Sequence, residues 1–327
     1  MILVTGGAGF IGSNIVAALD ARGHEIAVCD RLGSDEKWRN LAKRTLAAFV
    51  EPEALPGFLE RHGRQLDTVF HMGAISATTE RDAGLVIRSN FTFSLDLWDW
   101  CAKTGTRFIY ASSAASYGDG SHGFDDDDSP AALAKLLPLN PYGWSKLLFD
   151  RRVARLVSSG APRPPQWAGL RFFNVYGPNE YHKGNMRSVV KQVYEHASVG
   201  AHATLFKSHN PKYPDGGQLR DFVWVGDCVE VMLWLHEHPA VSGLFNLGTG
   251  KARTFADLAK AVFAAMGKAP DIRYVDTPIE IRDRYQYFTE ARMERLRRAG
   301  YDKPFTALED GVGRYVKNFL AAPDPYL

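Results

Sequence analysis

Tyr142 and Lys146 stand four residues apart in Asn140-Pro141-Tyr142-Gly143-Trp144-Ser145-Lys146. A spacing of four puts both side chains on one face of a helix. The breaker-free run from Leu147 to Leu156 predicts that the pair opens such a helix. An ammonium close to a phenol favours the phenolate and lowers the phenol from its usual value of about 10. A tyrosine lowered in this way exchanges a proton with a substrate hydroxyl near neutral pH. The same lysine can also hold the ribose beside a nicotinamide. Ser113 ends the run Arg107-Phe108-Ile109-Tyr110-Ala111-Ser112-Ser113, where its hydroxyl would bond the reacting oxygen. Alone, a Tyr–Lys pair reads as a surface helix feature and a serine pair as a turn. Their meaning depends on what the rest of the chain builds around them.

The chain opens with the pieces of a dinucleotide site. An apolar run, Met1-Ile2-Leu3-Val4, predicts a buried strand. Gly6-Gly7-Ala8-Gly9-Phe10-Ile11-Gly12 follows, then a helical pattern from Ser13 to Arg22 with Gly23 at its end. A second apolar run, Ile26-Ala27-Val28-Cys29, ends at Asp30. Glycines in that position let the backbone turn tightly and approach a pyrophosphate, which the helix N-terminus stabilises. Gly6, Gly9, Phe10, Ile11 and Gly12 are therefore the candidate phosphate cradle. Asp30 falls where an acid meets the adenosine ribose. Asp30 alone favours NAD, because a carboxylate repels a 2′-phosphate. Arg31 follows at once, and Lys37 and Arg39 lie in the same loop. Guanidinium and ammonium groups suit a phosphate.

Strands and helices alternate further on. Leu66 to His71 and Arg107 to Ala111 read as strands, Ser89 to Ala102 as a helix, and Gly169 to Phe173 as another strand. This rhythm predicts an α/β fold, a Rossmann-type doubly wound parallel sheet with helices on both faces. The motifs fall at the carboxyl ends of the strands, where such sheets bind ligands. From Pro178 to Gly217 the text turns rich in Gly, Asn, His and Lys, and the rhythm breaks. The expected division is a dinucleotide domain over 1–173 with a returning segment at about 221–247, and a smaller substrate-binding lobe from 174–220 and 248–327. The acidic run Asp125 to Asp128 reads as a solvated loop, since no His or spaced carboxylate accompanies it as a metal ligand.

Composition excludes other classes. A formal net charge of +2 over 327 residues gives neither nucleic acid nor an acidic membrane an electrostatic handle. The three cysteines, Cys29, Cys101 and Cys228, are far apart, which suits a reducing compartment and argues against disulfides or a zinc site. No apolar run approaches the ~18 residues of a spanning helix. The N-terminal strand belongs to the fold and lacks a basic leader region, so a cytoplasmic protein is expected, with no metal.

Five ordered motifs carry a resemblance. Thr5 to Gly12, Ser112-Ser113, Tyr142 with Lys146, Arg220-Asp221-Phe222-Val223 and Asn246-Leu247-Gly248-Thr249-Gly250 together resemble the extended short-chain dehydrogenase/reductase family, whose members act on nucleotide sugars. Within it, Tyr110 to Ala115, Phe172-Phe173-Asn174-Val175-Tyr176-Gly177-Pro178, His182-Lys183-Gly184, Arg284-Tyr285-Gln286 and Ala299 to Phe305 look like its ADP-heptose 6-epimerase branch. The resemblance implies an ADP-heptose substrate, NADP as cofactor (with NAD as the alternative) and a homo-oligomer such as a pentamer. It implies cofactor contacts from Met72, Gly73, Ala74, Ser76, Asn90, Val175 and Lys183. It implies substrate contacts from Asn174, Phe206, Arg220 and Tyr285, with Ser113. Asn185 and Gln192 stand where that branch has Ser and His, and the loop from Ser208 to Leu219 is longer.

Inverting a carbinol carbon through a ketone returns the hydride to the opposite face, so the carbonyl must turn over. Its oxygen then occupies two places, and one acid/base cannot reach both at hydrogen-bond distance. Tyr142 serves one; by the resemblance Lys183 serves the other. The competing readings are a UDP- or dTDP-sugar 4-epimerase or dehydratase, and a dinucleotide-binding sensor without chemistry. Ala114 and Ala115 after Ser113 leave a dehydratase without its carboxylates, and intact Ser113, Tyr142 and Lys146 speak against a sensor.

Overall fold

The protein is described by a computed structural model covering residues 1–282 and 285–327. Arg284, one residue of the motifs above, lies outside the described residues. Strands β1 (Ile2–Thr5), β2 (Ile26–Cys29), β3 (Ala48–Val50), β4 (Thr68–His71), β5 (Arg107–Ser113) and β6 (Trp167–Phe172) join Gly243–Leu247 in one seven-stranded sheet. Its order is Gly243–Leu247, β6, β5, β4, β1, β2, β3, with neighbours parallel. The expected α/β, Rossmann-type sheet is present. β1, β2, β4 and β6 are buried along their whole length, as a parallel sheet covered on both faces requires. The chain order reverses between β1 and β4, and the crevice beyond that switch point is where such folds take their ligands.

Local differences from the sequence reading have local causes. The first helix spans Phe10–Asp20, three residues earlier than expected, because Gly9 is already its extended N-cap. It has no side-chain cap, so its first N–H groups stay free for a ligand. Gly6, at φ +64°, cannot be replaced, since a Cβ there would lie 2.5 Å from the Gly73 backbone. A Cβ on Gly12 would lie 2.0 Å from the Gly6 carbonyl. The helix expected from Ser89 is part of a longer run, Ala83–Ile87 and Phe93–Thr104, joined by a π-helical turn at Arg88–Thr92. Such wide turns concentrate at functional sites. This one carries Asn90, buried, which binds the Ile75 N–H (2.8 Å) and C=O (2.9 Å) and so fixes the loop after β4.

A second core forms away from the sheet, from Val190, Val193, Leu205, Phe222, Leu258, Val262, Val312 and Tyr315 among others. It packs the helices Val189–Ser198, Phe255–Ala265 and Leu308–Tyr315 around short strands.

The acidic run is solvated only in part: Asp125 and Asp127 are exposed as expected, whereas Asp126 is buried and Asp128 half-buried. Strand Gly243–Leu247 is a sheet edge, and its outward N–H groups need acceptors. Asp126 accepts from the Asn246 N–H at 2.8 Å, and Asp128 from the Leu244 N–H while pairing with Arg295. Asp126 is 3% exposed, and burial pushes its carboxyl up to about 6. A carboxyl raised above its unfolded value penalises folding above its folded pKa and not below the unfolded one. Asp126→Asn keeps an acceptor without the charge. It is expected to raise unfolding free energy at pH 8 by an amount on the order of 1–3 kcal/mol, with little change at pH 4. Urea unfolding at the two pH values measures this; equal effects at both would exclude it.

Candidate active site

Three cavities bring the candidate residues together. The first, about 300 Å³, is lined by the glycine turn (Gly6, Gly9, Gly12 with Phe10 and Ile11), by Asp30 and Lys37, and by the loop after β4 (Met72, Gly73, Ala74, Ser76). Its far wall is Ser113, Tyr142, Lys146, Val175, His182 and Lys183. A second, about 670 Å³, shares Gly6, Asp30, Lys37, Gly73 and Ala74 and adds Arg31, Glu53 and Arg88. A third, about 640 Å³, contains Arg220, Tyr285, Gln286, Glu80 and Arg81. The first two share five lining residues and so adjoin, and the N-terminus of the first helix, at Gly9 to Gly12, lines the first.

Tyr142 and Lys146 lie on helix Pro141–Ser158, started by Pro141 and capped by Asn140, whose side chain accepts from the Gly143 N–H at 2.8 Å. The two side chains share a face, yet they are not paired with each other. The Lys146 Nζ donates to the Ala111 carbonyl at 2.8 Å. Burial lowers its ammonium to about 8, with Asp150 pulling the other way. The Tyr142 phenol is raised, not lowered: burial dominates, and the hydrogen bond with Ser113 opposes it. The sequence reading of a phenol depressed by its lysine is thus corrected. The lysine bonds the strand carbonyl, and Ser113 is the group that bonds the phenol. Beneath them Asp150 accepts from Ser112, Tyr110 and a buried Arg171. This network holds the end of β5, and so Ser113, against the helix.

Lys183 reaches the same cavity from a 3₁₀ turn, Tyr181–Met186. Its Nζ lies 5.3 Å from the centroid of the Phe10 ring. Burial lowers its ammonium, and Glu180 opposes that shift. His182 beside it is pushed down to about 4 by burial and by Lys37, so it is neutral at pH 7.

Asp30 is engaged on both oxygens: it accepts from the Ala8 N–H at 2.9 Å and from the Lys37 Nζ at 2.6 Å. Arg31 pairs with Glu53, and Arg39 with Glu36. The loop cations therefore face their own acids.

In the third cavity Arg220 is buried without a carboxylate partner among the described residues. Its guanidinium lies 5.4 Å from the Tyr285 ring centroid, and the rings of Tyr285 and Phe206 lie 6.2 Å apart. A buried guanidinium that bonds only the Leu219 carbonyl among the described residues, beside aromatic rings, suits a phosphate and a planar base. Phe206 and Asn90 do not line these cavities, and three further candidates also lie off their walls. Asn174 is exposed on a short strand paired with Phe222–Trp224. Asn185 is exposed. Gln192 donates to the Arg187 carbonyl at 2.8 Å.

Sequence reasoning missed His71, at the end of β4. It is buried and held down to about 3 by desolvation. Its ring nitrogens meet Thr5 Oγ1 at 2.6 Å and Ser94 Oγ at 2.7 Å, tying β1 to β4 under the glycine turn. It also missed Thr78, Thr79, Glu80 and Arg81, whose loop carries no periodic signal.

A family model described as "NAD dependent epimerase/dehydratase family" matches residues 2–248. An ADP-L-glycero-D-manno-heptose-6-epimerase from Nitratidesulfovibrio vulgaris (strain DP4) is 52% identical over 331 residues, covering 100% of both chains. The crystal structure of Helicobacter pylori ADP-L-glycero-D-manno-heptose-6-epimerase superposes with a TM-score of 0.78 at 28% identity, covering 98% of this chain and 96% of that one. Thermus thermophilus UDP-glucose 4-epimerase, in complex with NAD, gives 0.76 at 28%, covering 98% and 99%. Among the described residues no helix is long and apolar enough to cross a membrane.

Proposed function

The chain belongs to the NAD dependent epimerase/dehydratase family, and from that premise we propose that it inverts C6 of ADP-D-glycero-D-manno-heptose to give the L-glycero epimer, using NADP. The observation that carries this reading is the convergence of Tyr142, Ser113 and Lys183 on the wall of one cavity with the glycine turn. The free helix N-terminus, the glycine cradle and Asp30 fit a dinucleotide. When bound, the nicotinamide would take a hydride from C6 and return it. The chain's own residues would handle the proton. Tyr142 would accept the C6 hydroxyl proton of one epimer while Ser113 holds the oxygen. Lys183 would donate to the oxygen in its other place after the carbonyl turns over. Lys146 would hold the ribose, and Arg220, Tyr285 and Phe206 would take the ADP end. In this reading 174–220 and 248–327 form the sugar-binding lobe, and the protein works as a homo-oligomer. Incubation with ADP-D-glycero-D-manno-heptose, followed at C6 by NMR, tests it. No inversion, with turnover of UDP-galactose instead, would assign a 4-epimerase.

NADP over NAD rests on Arg31 and Lys37. The Arg31–Glu53 pair is exposed on both sides, at 62% and 64%, and pairs so exposed to water hold their partners only weakly. A 2′-phosphate can therefore take the guanidinium from Glu53. Arg31→Ala is expected to weaken NADP binding about tenfold and leave NAD nearly unchanged. Glu53→Gln is expected to tighten NADP. Titration of both cofactors against the variants checks this; a preference for NAD that Arg31→Ala leaves unmoved would refute it.

A further inference from the structure

The segment Asp324–Leu327 lies across the back of the two loops that bring Lys37 and Lys183 to the cavity. Tyr326, 8% exposed, packs its ring edge-on against Tyr181 with centroids 5.1 Å apart. Tyr181 opens the turn that carries Lys183, and its hydroxyl donates to the Pro325 carbonyl at 2.7 Å. The Arg39 guanidinium, on the 3₁₀ turn Glu36–Leu41 that holds Lys37, lies over the Tyr326 ring, 4.6 Å from its centroid. Lys43, just past that turn, donates to the Tyr326 carbonyl at 2.7 Å and pairs with Asp324 at 2.9 Å.

The inner end of the segment reaches a fully buried hub. The Leu327 N–H donates to the Asn179 side chain at 3.0 Å. Asn179 sits at φ +72°, the one non-glycine in the left-handed region among the described residues. Such a conformation persists only where surroundings over-determine it. Asn179 also donates to Ser13 in the first helix at 3.0 Å, and its carbonyl accepts from Asn40 at 3.1 Å. Asn40 in turn reaches the His182 ring at 3.3 Å. The glycine-turn helix, the Lys37 turn and the Lys183 turn thus meet at Asn179, and the segment closes the hub from outside.

We propose that Asp324–Leu327 is a clamp, centred on Tyr326, that fixes the Lys183 turn against the cofactor-binding turn. Tyr326 is a positioning residue: it lines none of the three cavities and acts through Tyr181 and Arg39. The physical case is that a 3₁₀ turn with few buried side chains opens at little cost unless tied down. An acid/base displaced by about 1 Å loses much of its effect. The functional consequence rests on the reading of Lys183 as an acid/base; the clamp itself does not.

The test separates the two. Lys183 is acylated with acetic anhydride in the full-length protein, and the rate is read by mass spectrometry against Lys146, which the clamp does not touch. Tyr326→Ala is expected to speed Lys183 labelling about tenfold, the scale of local opening, with Lys146 unchanged. Tyr326→Phe, which keeps the ring and loses a hydroxyl with no bond among those described, is expected to restore the native rate. Turnover should follow the same order, through kcat rather than KM. Lys43→Met, at an exposed position, gives a milder opening in a variant that folds if Tyr326→Ala does not. Native Lys183 labelling in both variants would overturn the clamp. Faster labelling with unchanged kcat would keep the clamp and overturn the role of Lys183.

Discussion

Tyr142→Phe is expected to lower epimerisation by a factor on the order of 10² or more while cofactor affinity stays close to native. The phenol lies against Ser113 at the end of β5, with Lys146 bound to the strand carbonyl behind it. Removing the hydroxyl deletes the proton acceptor without opening a cavity, because the ring remains. The free phenol is raised by burial, so little of it is ionised at neutral pH, and kcat/KM for the epimer it serves should climb with pH. Lys146→Ala is the complementary variant. It removes an ammonium already lowered to about 8, and it should cost cofactor affinity as well as rate. Stopped-flow measurement of cofactor reduction separates the two outcomes. A Tyr142→Phe protein that reduced its cofactor at the native rate with both epimers would remove Tyr142 from the chemistry.

Much of the frame was legible because its signals are local. Ile2–Thr5 and Ile26–Cys29 are apolar runs of strand length, and the glycines between them admit few backbone paths. The parallel, doubly wound arrangement followed from the βα rhythm. The site was less legible. That Lys146 bonds Ala111 rather than Tyr142 depends on how β5 meets the helix, which spacing along the helix does not encode. Asp126 and Asp128 looked solvated because their partners, Asn246, Leu244 and Arg295, lie over a hundred residues away. Arg31 and Lys37 read as free cations because Glu53 and Asp30 enter from separate turns. In each case the missing information was a pairing of polar groups between separate elements, which carries no periodicity.

Lys183→Met should match Tyr142→Phe in overall loss, a factor on the order of 10² or more, and differ from it in which epimer is affected. The two groups approach the first cavity from different elements, Tyr142 from helix Pro141–Ser158 and Lys183 from the turn Tyr181–Met186. A ketone that turns over presents its oxygen to one and then to the other. Each variant should therefore block oxidation of one epimer in a single turnover and leave the other comparatively intact, with the pattern exchanged between them. Methionine keeps the length and packing of lysine against the Phe10 ring and removes only the amine. Burial holds that amine below its ordinary value, so the neutral base is populated closer to neutral pH than for an exposed lysine. Rapid-quench assays with the D-glycero and L-glycero substrates give the four rates. If both variants failed on the same epimer, the two groups would serve one oxygen position, and the carbonyl would not turn over in this site. If Lys183→Met turned over both epimers at native rates, the lysine would be a wall of the cavity and Tyr142 would have to act alone.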